Sequence, residues 1–206
     1  ITLEYFVKPL IMHWMAAYFL LFRKKRSLTI PLLLAFFFSW TGDNFLMFSG
    51  INELFFYAGV GGFFLAQLTY IFIFFTYGET GGRGFLQKHP AAVIPFIAYI
   101  VVIYSLLYPD LEGMMRPVIL LYALSLIGMS MMAMNRHGRV GNKSYLLVFT
   151  GSLLFVFSDS LIALDRFYRE IPLSGFWIMA TYIPAQYLIM RGLVLEKPAG
   201  DREAVP

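Results

Sequence analysis

The chain has 206 residues, of which 59% are hydrophobic, 18% aromatic and only 14% charged, with a mean hydropathy of +0.70. A water-soluble domain carries about 25% charged residues, so this chain has too few to coat a soluble surface, and disorder and collagen-like repeats are excluded by the same composition. The formal net charge of +4 fits Lys/Arg-rich loops of an integral membrane protein rather than nucleic-acid binding. Cysteine is absent, which removes disulfides, thiolate metal sites and cysteine nucleophiles.

Seven apolar stretches have the length of a membrane-spanning helix, about 17–25 residues. They run over 6–22, 28–48, 54–77, 91–108, 117–134, 145–164 and 175–193. None alternates with period two, which argues against a β-barrel. The expected fold is therefore all-α, one polytopic transmembrane helix bundle over 1–206 with a tail at 197–206. The chain opens Ile-Thr-Leu-Glu, with neither Met nor a signal-peptide pattern, and an eighth helix is expected before it.

Positive charge sets the expected orientation. Arg23, Lys24, Lys25, Arg26, Arg83, Lys88, Arg136, Arg139, Lys143, Arg191, Lys197 and Arg202 fall on one side, against Lys8, Arg116, Arg166 and Arg169 on the other, a partition of 12 to 4 among the 16 Lys and Arg. The C-terminus is thus expected on the cytoplasmic side and Lys8 on the outer side.

Polar residues inside the spans each need a reason, because an ionisable group at the bilayer centre costs roughly 2.5–3.5 kcal/mol on insertion scales. The first span opens with Lys8-Pro9; Lys8 either snorkels to the interface or pairs with an aspartate or a lipid phosphate. His13 stands alone there. The second span carries Ser39-Trp40-Thr41-Gly42-Asp43-Asn44, with Asp43 five residues before its expected outer end. In the third, Gly59, Gly61 and Gly62 allow close helix packing, and Gln67 and Tyr70 share a face at i, i+3. The following Gly78–Gly84 segment resembles a phosphate loop only loosely and reads as a connection. Arg116-Pro117 opens the fifth span. The sixth carries Ser158-Asp159-Ser160, again with the carboxylate five residues before the expected end. The last presents Tyr182 and Gln186 at i, i+4.

At about 1.5 Å per residue both carboxylates lie some 7 Å below the outer boundary, so they are expected to face one cavity. The amides and phenols either contact substrate or hold helices together. No spacing of the three His suits a metal, and no G-x-S-x-G elbow is present. Neither a cofactor nor a metal nor nucleic acid is called for. The order Lys8-Pro9, Asp43, Gln67 and then Arg116-Pro117, Asp159, Gln186, at offsets of 108, 116 and 119 residues, raises a parallel internal repeat over about 1–90 and 91–196.

Phe6-Val7-Lys8-Pro9-Leu10, Gly42-Asp43, the stretch Gly61–Tyr70, Thr150–Asp159 and Tyr182–Ile189 together resemble the YhhN-like family of integral membrane proteins, which includes lysoplasmalogenases. The motifs are individually short, but their order spans almost the whole chain. Gln67 departs from the family, where His is expected. The resemblance implies an ether hydrolase that splits the vinyl ether of lysoplasmalogen into a fatty aldehyde and a glycerophospho-base. Such a reaction needs a carboxylic acid to protonate the alkene and a carboxylate to assist water, roles that Asp43 and Asp159 could fill. Lys8, Asn44, Gln67, Tyr70, Ser158, Tyr182 and Gln186 are then the expected substrate-binding residues, and a lysolipid the expected partner, in a membrane of bacterial type. On physics alone, paired intramembrane aspartates suit a small proton-coupled transporter equally well.

Overall fold

A computed structural model describes residues 2–23, 26–77 and 84–195, and these residues form helices without a strand. In chain order they are α1 (Thr2–Phe22), α2 (Thr29–Met47), α3 (Glu53–Thr76), a short α4 (Phe85–Lys88), α5 (Ile94–Leu107), α6 (Met115–Met134), α7 (Asn142–Phe167) and α8 (Ser174–Leu195), with single 3-10 turns at Pro90–Val93 and Tyr108–Asp110 flanking α5. Lys24, Lys25, Arg83, the 78–83 part of the glycine-rich segment and the 197–206 tail lie outside the described residues.

The expected spans correspond to α1, α2, α3, α5, α6, α7 and α8, with two differences. Among the residues whose side chains are described, six helical segments are long and apolar enough to cross a membrane by length and composition, and α1 contributes the shorter apolar stretch Lys8–Phe22. Second, α7 continues to Phe167 rather than stopping at 164. Its last turn is held by the Arg166 guanidinium, 4.2 Å above the Phe56 ring, and by Asp165 Oδ1, which accepts the Ile171 N–H at 2.7 Å.

Helix boundaries follow ordinary stop signals. Asn52 caps α3 by accepting the Leu54 N–H at 2.9 Å. Pro90 and Pro95 stand in the first turns of the 3-10 segment and of α5, where a missing N–H is harmless. Gly138, with φ +74°, turns the chain between α6 and α7 in a conformation that glycine adopts without cost.

Two helix pairs form the framework, α2 with α3 and α7 with α8. Both rest on glycine, as expected where lipid gives no hydrophobic drive and backbones must approach closely. A Cβ on Gly62 would stand 2.7 Å from the Gly42 nitrogen, and one on Gly151 would stand 2.8 Å from the Ala185 carbonyl oxygen. Gly61, read above with Gly59 and Gly62, faces open space instead. Helix α1 leans on α2 and α8, while α6 leans on α7 and α3. The six helices thus enclose a core that includes Phe36, Phe63, Tyr70, Phe74, Phe155 and Ile189. Helix α5 stands outside this ring, with only Phe96 and Leu107 buried.

Candidate functional site

Asp43 and Asp159 open into one cavity of about 200 Å³. Its lining includes Lys8 from α1, Ser158, Asp165 and Arg166 from α7, and Tyr182 from α8. From the helix ends, Asp43 lies four residues, or about 6 Å, inside α2, and Asp159 eight residues, or about 12 Å, inside the longer α7. The equal depths expected from sequence therefore become unequal distances along the two helices, yet the carboxylates share the cavity.

Asp159 is 5% exposed. Its Oδ2 accepts two hydrogen bonds, from the Tyr122 hydroxyl at 2.5 Å and from Gln67 Nε2 at 3.3 Å. Gln67 is oriented in turn, because the Ser125 hydroxyl donates to its Oε1 at 2.5 Å, so the NH₂ group must face Asp159. The Asp159 Oδ1 atom is buried and takes no hydrogen bond from the described residues. With Oδ2 doubly engaged as an acceptor, a proton on this carboxyl belongs on Oδ1.

Asp43 has a thinner shell. Its Oδ2 accepts from the Tyr182 hydroxyl at 2.8 Å. Gln186 stands one step behind, its Nε2 donating to Ser39 Oγ at 3.1 Å and to Tyr182 at 3.4 Å. The Tyr70 hydroxyl pins the Gln186 amide by donating to Oε1 at 2.5 Å. The two networks share one logic: a tyrosine hydroxyl on the carboxylate, and a glutamine whose carbonyl is fixed by a hydroxyl so that its amide donates inward. Burying this many polar groups is tolerable only because they are paired.

Of the residues singled out in the sequence, Lys8, Asp43, Ser158, Asp159 and Tyr182 line the cavity. Gln67, Tyr70 and Gln186 are fully buried behind it and act on the aspartate networks. Asn44 donates to the Trp40 carbonyl of its own helix at 2.7 Å and is not among the lining residues. Sequence reasoning missed Tyr122, Ser125 and Ser39 within the networks, and Arg166 at the mouth. Tyr122 and Ser125 carried a usable signal, the same i, i+3 polar pairing as Gln67 and Tyr70, set in a Leu-rich stretch.

An apolar slot of about 60 Å³ between α2, α3, α5, α6 and α7 adjoins the cavity, and Asp159 and Phe63 are among the residues that line both. Asp159 therefore sits where polar and apolar space join.

These features define a multi-pass helical membrane protein with two carboxylates sunk in one amphipathic cavity. The sequence profile of the YhhN family matches residues 3–193, and the chain belongs to that family. It is 30% identical over 156 residues to the human protein named lysoplasmalogenase TMEM86A, covering 74% of this chain and 60% of that one. Its bovine counterpart of the same name is 39% identical over 90 residues, 42% of this chain and 37% of the relative. The chain thus spans at most about 60% of the length of these curated relatives. No solved structure matches it significantly.

Proposed function

We propose that the protein is a membrane-embedded hydrolase of lysoplasmalogen-type lipids, in which Asp43 and Asp159 carry acid–base catalysis. The observation that supports this reading is the shared cavity of the two carboxylates, joined to an apolar slot at Asp159. The name of the TMEM86A relatives supplies the substrate class.

The placement of the carboxyls suggests how the work divides. Asp159 borders the apolar slot, where the hydrocarbon side of a vinyl ether would lie, so it donates its proton to the alkene carbon remote from oxygen. The electrons of the double bond form the new C–H bond, and positive charge develops on the carbon bearing oxygen. Asp43 lines the shared cavity but not the apolar slot, so it directs water onto that carbon and takes up a water proton. The resulting hemiacetal breaks its C–O bond to release fatty aldehyde and the glycerophospho-base, whose alcohol oxygen takes the proton. One water is consumed, and the aspartates return to their starting protonation states when a proton passes back to Asp159. A dry site strengthens each of these interactions.

The same reading places the Lys8 end of the bundle on the outer side of a bacterial inner membrane and the C-terminus in the cytoplasm, as the charge partition implies. It also treats α1–α3 and α6–α8 as two parallel repeats, since α1 packs on α8 as α6 packs on α3. The transporter alternative needs a water path past the carboxylates; Tyr70, Ile73 and Phe74, all at most 1% exposed, instead fill the core on their other side.

The test is aldehyde release by the purified protein from a lysoplasmalogen, against an acyl lysophospholipid of equal chain length. Release from the vinyl ether alone is expected. No release, with the folded protein intact, would sink the hydrolase.

A further inference from the structure

Beyond the aspartates, apolar space continues. The slot at Asp159 is walled by α5 and α6 and reaches Tyr99 and Ile127. Those two residues also line a groove of about 390 Å³ between α5, α6 and α7, which extends to Phe149, Leu153 and Phe157. Leu153 and Phe157 are 42% and 54% exposed on the lipid-facing surface, so the groove opens sideways. Tyr99 marks the junction, its hydroxyl hydrogen-bonded to Ser160 Oγ at 2.5 Å across α5 and α7. At the opposite end stand Lys8 and Arg166, with Asp165 lining the same cavity. Three spaces with shared walls thus line up as one candidate path, from Lys8, Asp165 and Arg166, past two carboxylates, to apolar surroundings.

We propose that this path holds one hydrocarbon chain of the substrate, entering the slot at Asp159 and passing Tyr99 and Ile127 into the lipid-facing groove, with the anionic head group at Lys8 and Arg166. The occupant is a single-chain amphiphile, because cations bound one end and a single apolar track leads from the other. A second chain would have to share that track. Ile127 and Leu153 are then specificity-determining residues: Ile127 sits at the junction and Leu153 further along the groove, so added bulk there meets long chains and leaves short ones untouched. This assignment rests on the proposed function only for the identity of the lipid.

The test measures binding rather than turnover. The full chain in lipid nanodiscs is titrated with the hexadecyl and hexyl ethers of glycerophosphocholine, saturated compounds that cannot undergo vinyl ether hydrolysis. Ile127→Trp and Leu153→Trp should each lower the hexadecyl-to-hexyl affinity ratio by about tenfold, the affinity carried by roughly two buried methylene groups. Leu33→Trp, which adds the same bulk to the separate groove between α1 and α2, should leave the ratio unchanged. Should Ile127→Trp fail to fold, Leu153→Trp decides alone, since its side chain already faces lipid. An unchanged ratio in Leu153→Trp, or an equal shift in Leu33→Trp, overturns the assignment. A shifted ratio without aldehyde release would end the hydrolase and leave the chain path standing; the reverse would do the opposite.

Discussion

Asp43 and Asp159 stand in the same cavity but in different company. Asp159 is clasped by Tyr122 and by Gln67, which is itself steered by Ser125, and it borders apolar space. Asp43 receives Tyr182, with Gln186 a step removed, and shares a polar vestibule with Lys8. Each carboxylate draws its donors from elsewhere in the bundle: α3 and α6 serve Asp159 on α7, and α8 serves Asp43 on α2. Neither half of the chain could assemble its own site, so the packing of the two framework pairs and the geometry of the carboxylates are one problem. The difference in company also implies a difference in task, proton delivery to carbon at Asp159 and handling of water at Asp43.

The strongest way to break that comparison is to remove each charge in turn. Asp43→Asn and Asp159→Asn should each lower turnover at least about 10²-fold, the usual scale for a positioned acid or base, and Asp159→Asn should show the larger loss. The double variant should be scarcely worse than the weaker single, because residues acting as a unit are not additive. Asparagine preserves size, so the purified variants should melt within a few degrees of the parent. Near-parental aldehyde release by either folded variant would turn the carboxylates into structural groups.

The glutamines sharpen the contrast between chemistry and support. Gln67 touches a carboxylate, whereas Gln186 touches the groups that hold one. Gln67→Leu should cost about tenfold in turnover and little stability, since Ser125 keeps its bond to the Tyr122 carbonyl at 2.8 Å. Gln186→Leu strands the buried Tyr70 hydroxyl, at a cost of roughly 1–3 kcal/mol, and should show mainly as a lower melting temperature. A reversal of that pattern would mean that Gln186 works on the chemistry. Among the phenols, Tyr182→Phe should reduce turnover more than Tyr122→Phe. The first takes the tyrosine donor from Asp43, while Asp159 keeps Gln67 after the second. Steady-state aldehyde release from the two variants ranks them.

The spans, the two aspartates and the glutamines were legible because a polar residue in hydrocarbon is conspicuous wherever it falls. The partners were not, because sequence states which face a side chain occupies and not which helix arrives there. Gln67 and Tyr70 share a face of α3 as expected, yet one serves α7 and the other α8. Arg166 was read only as a charge outside the last turns; its stacking over Phe56 makes it part of a longer α7, a tertiary effect that no local pattern encodes. The four-residue α4 escaped for a plainer reason, being too short to show a period. Asn44 adjoins Asp43 in sequence, but neighbours on a helix point about 100° apart.

Asn44 therefore gives the smallest expected effect. Its amide donates to the Trp40 carbonyl one turn back, a bond that satisfies the side chain without involving Asp43. Asn44→Ala should leave aldehyde turnover within about twofold, because removing a local side-chain bond in a helix leaves the carbonyl its backbone partner. Stability should change by no more than about 0.5 kcal/mol, as for other substitutions away from a buried network. The outcome separates two pictures of the Asp43 side of the cavity. If Asn44→Ala were to cost tenfold in turnover at unchanged melting temperature, its Oδ1 would have to reach the substrate. Asp43 would then have a second polar neighbour at the reacting lipid, and the asymmetry between the two carboxylates would shrink accordingly.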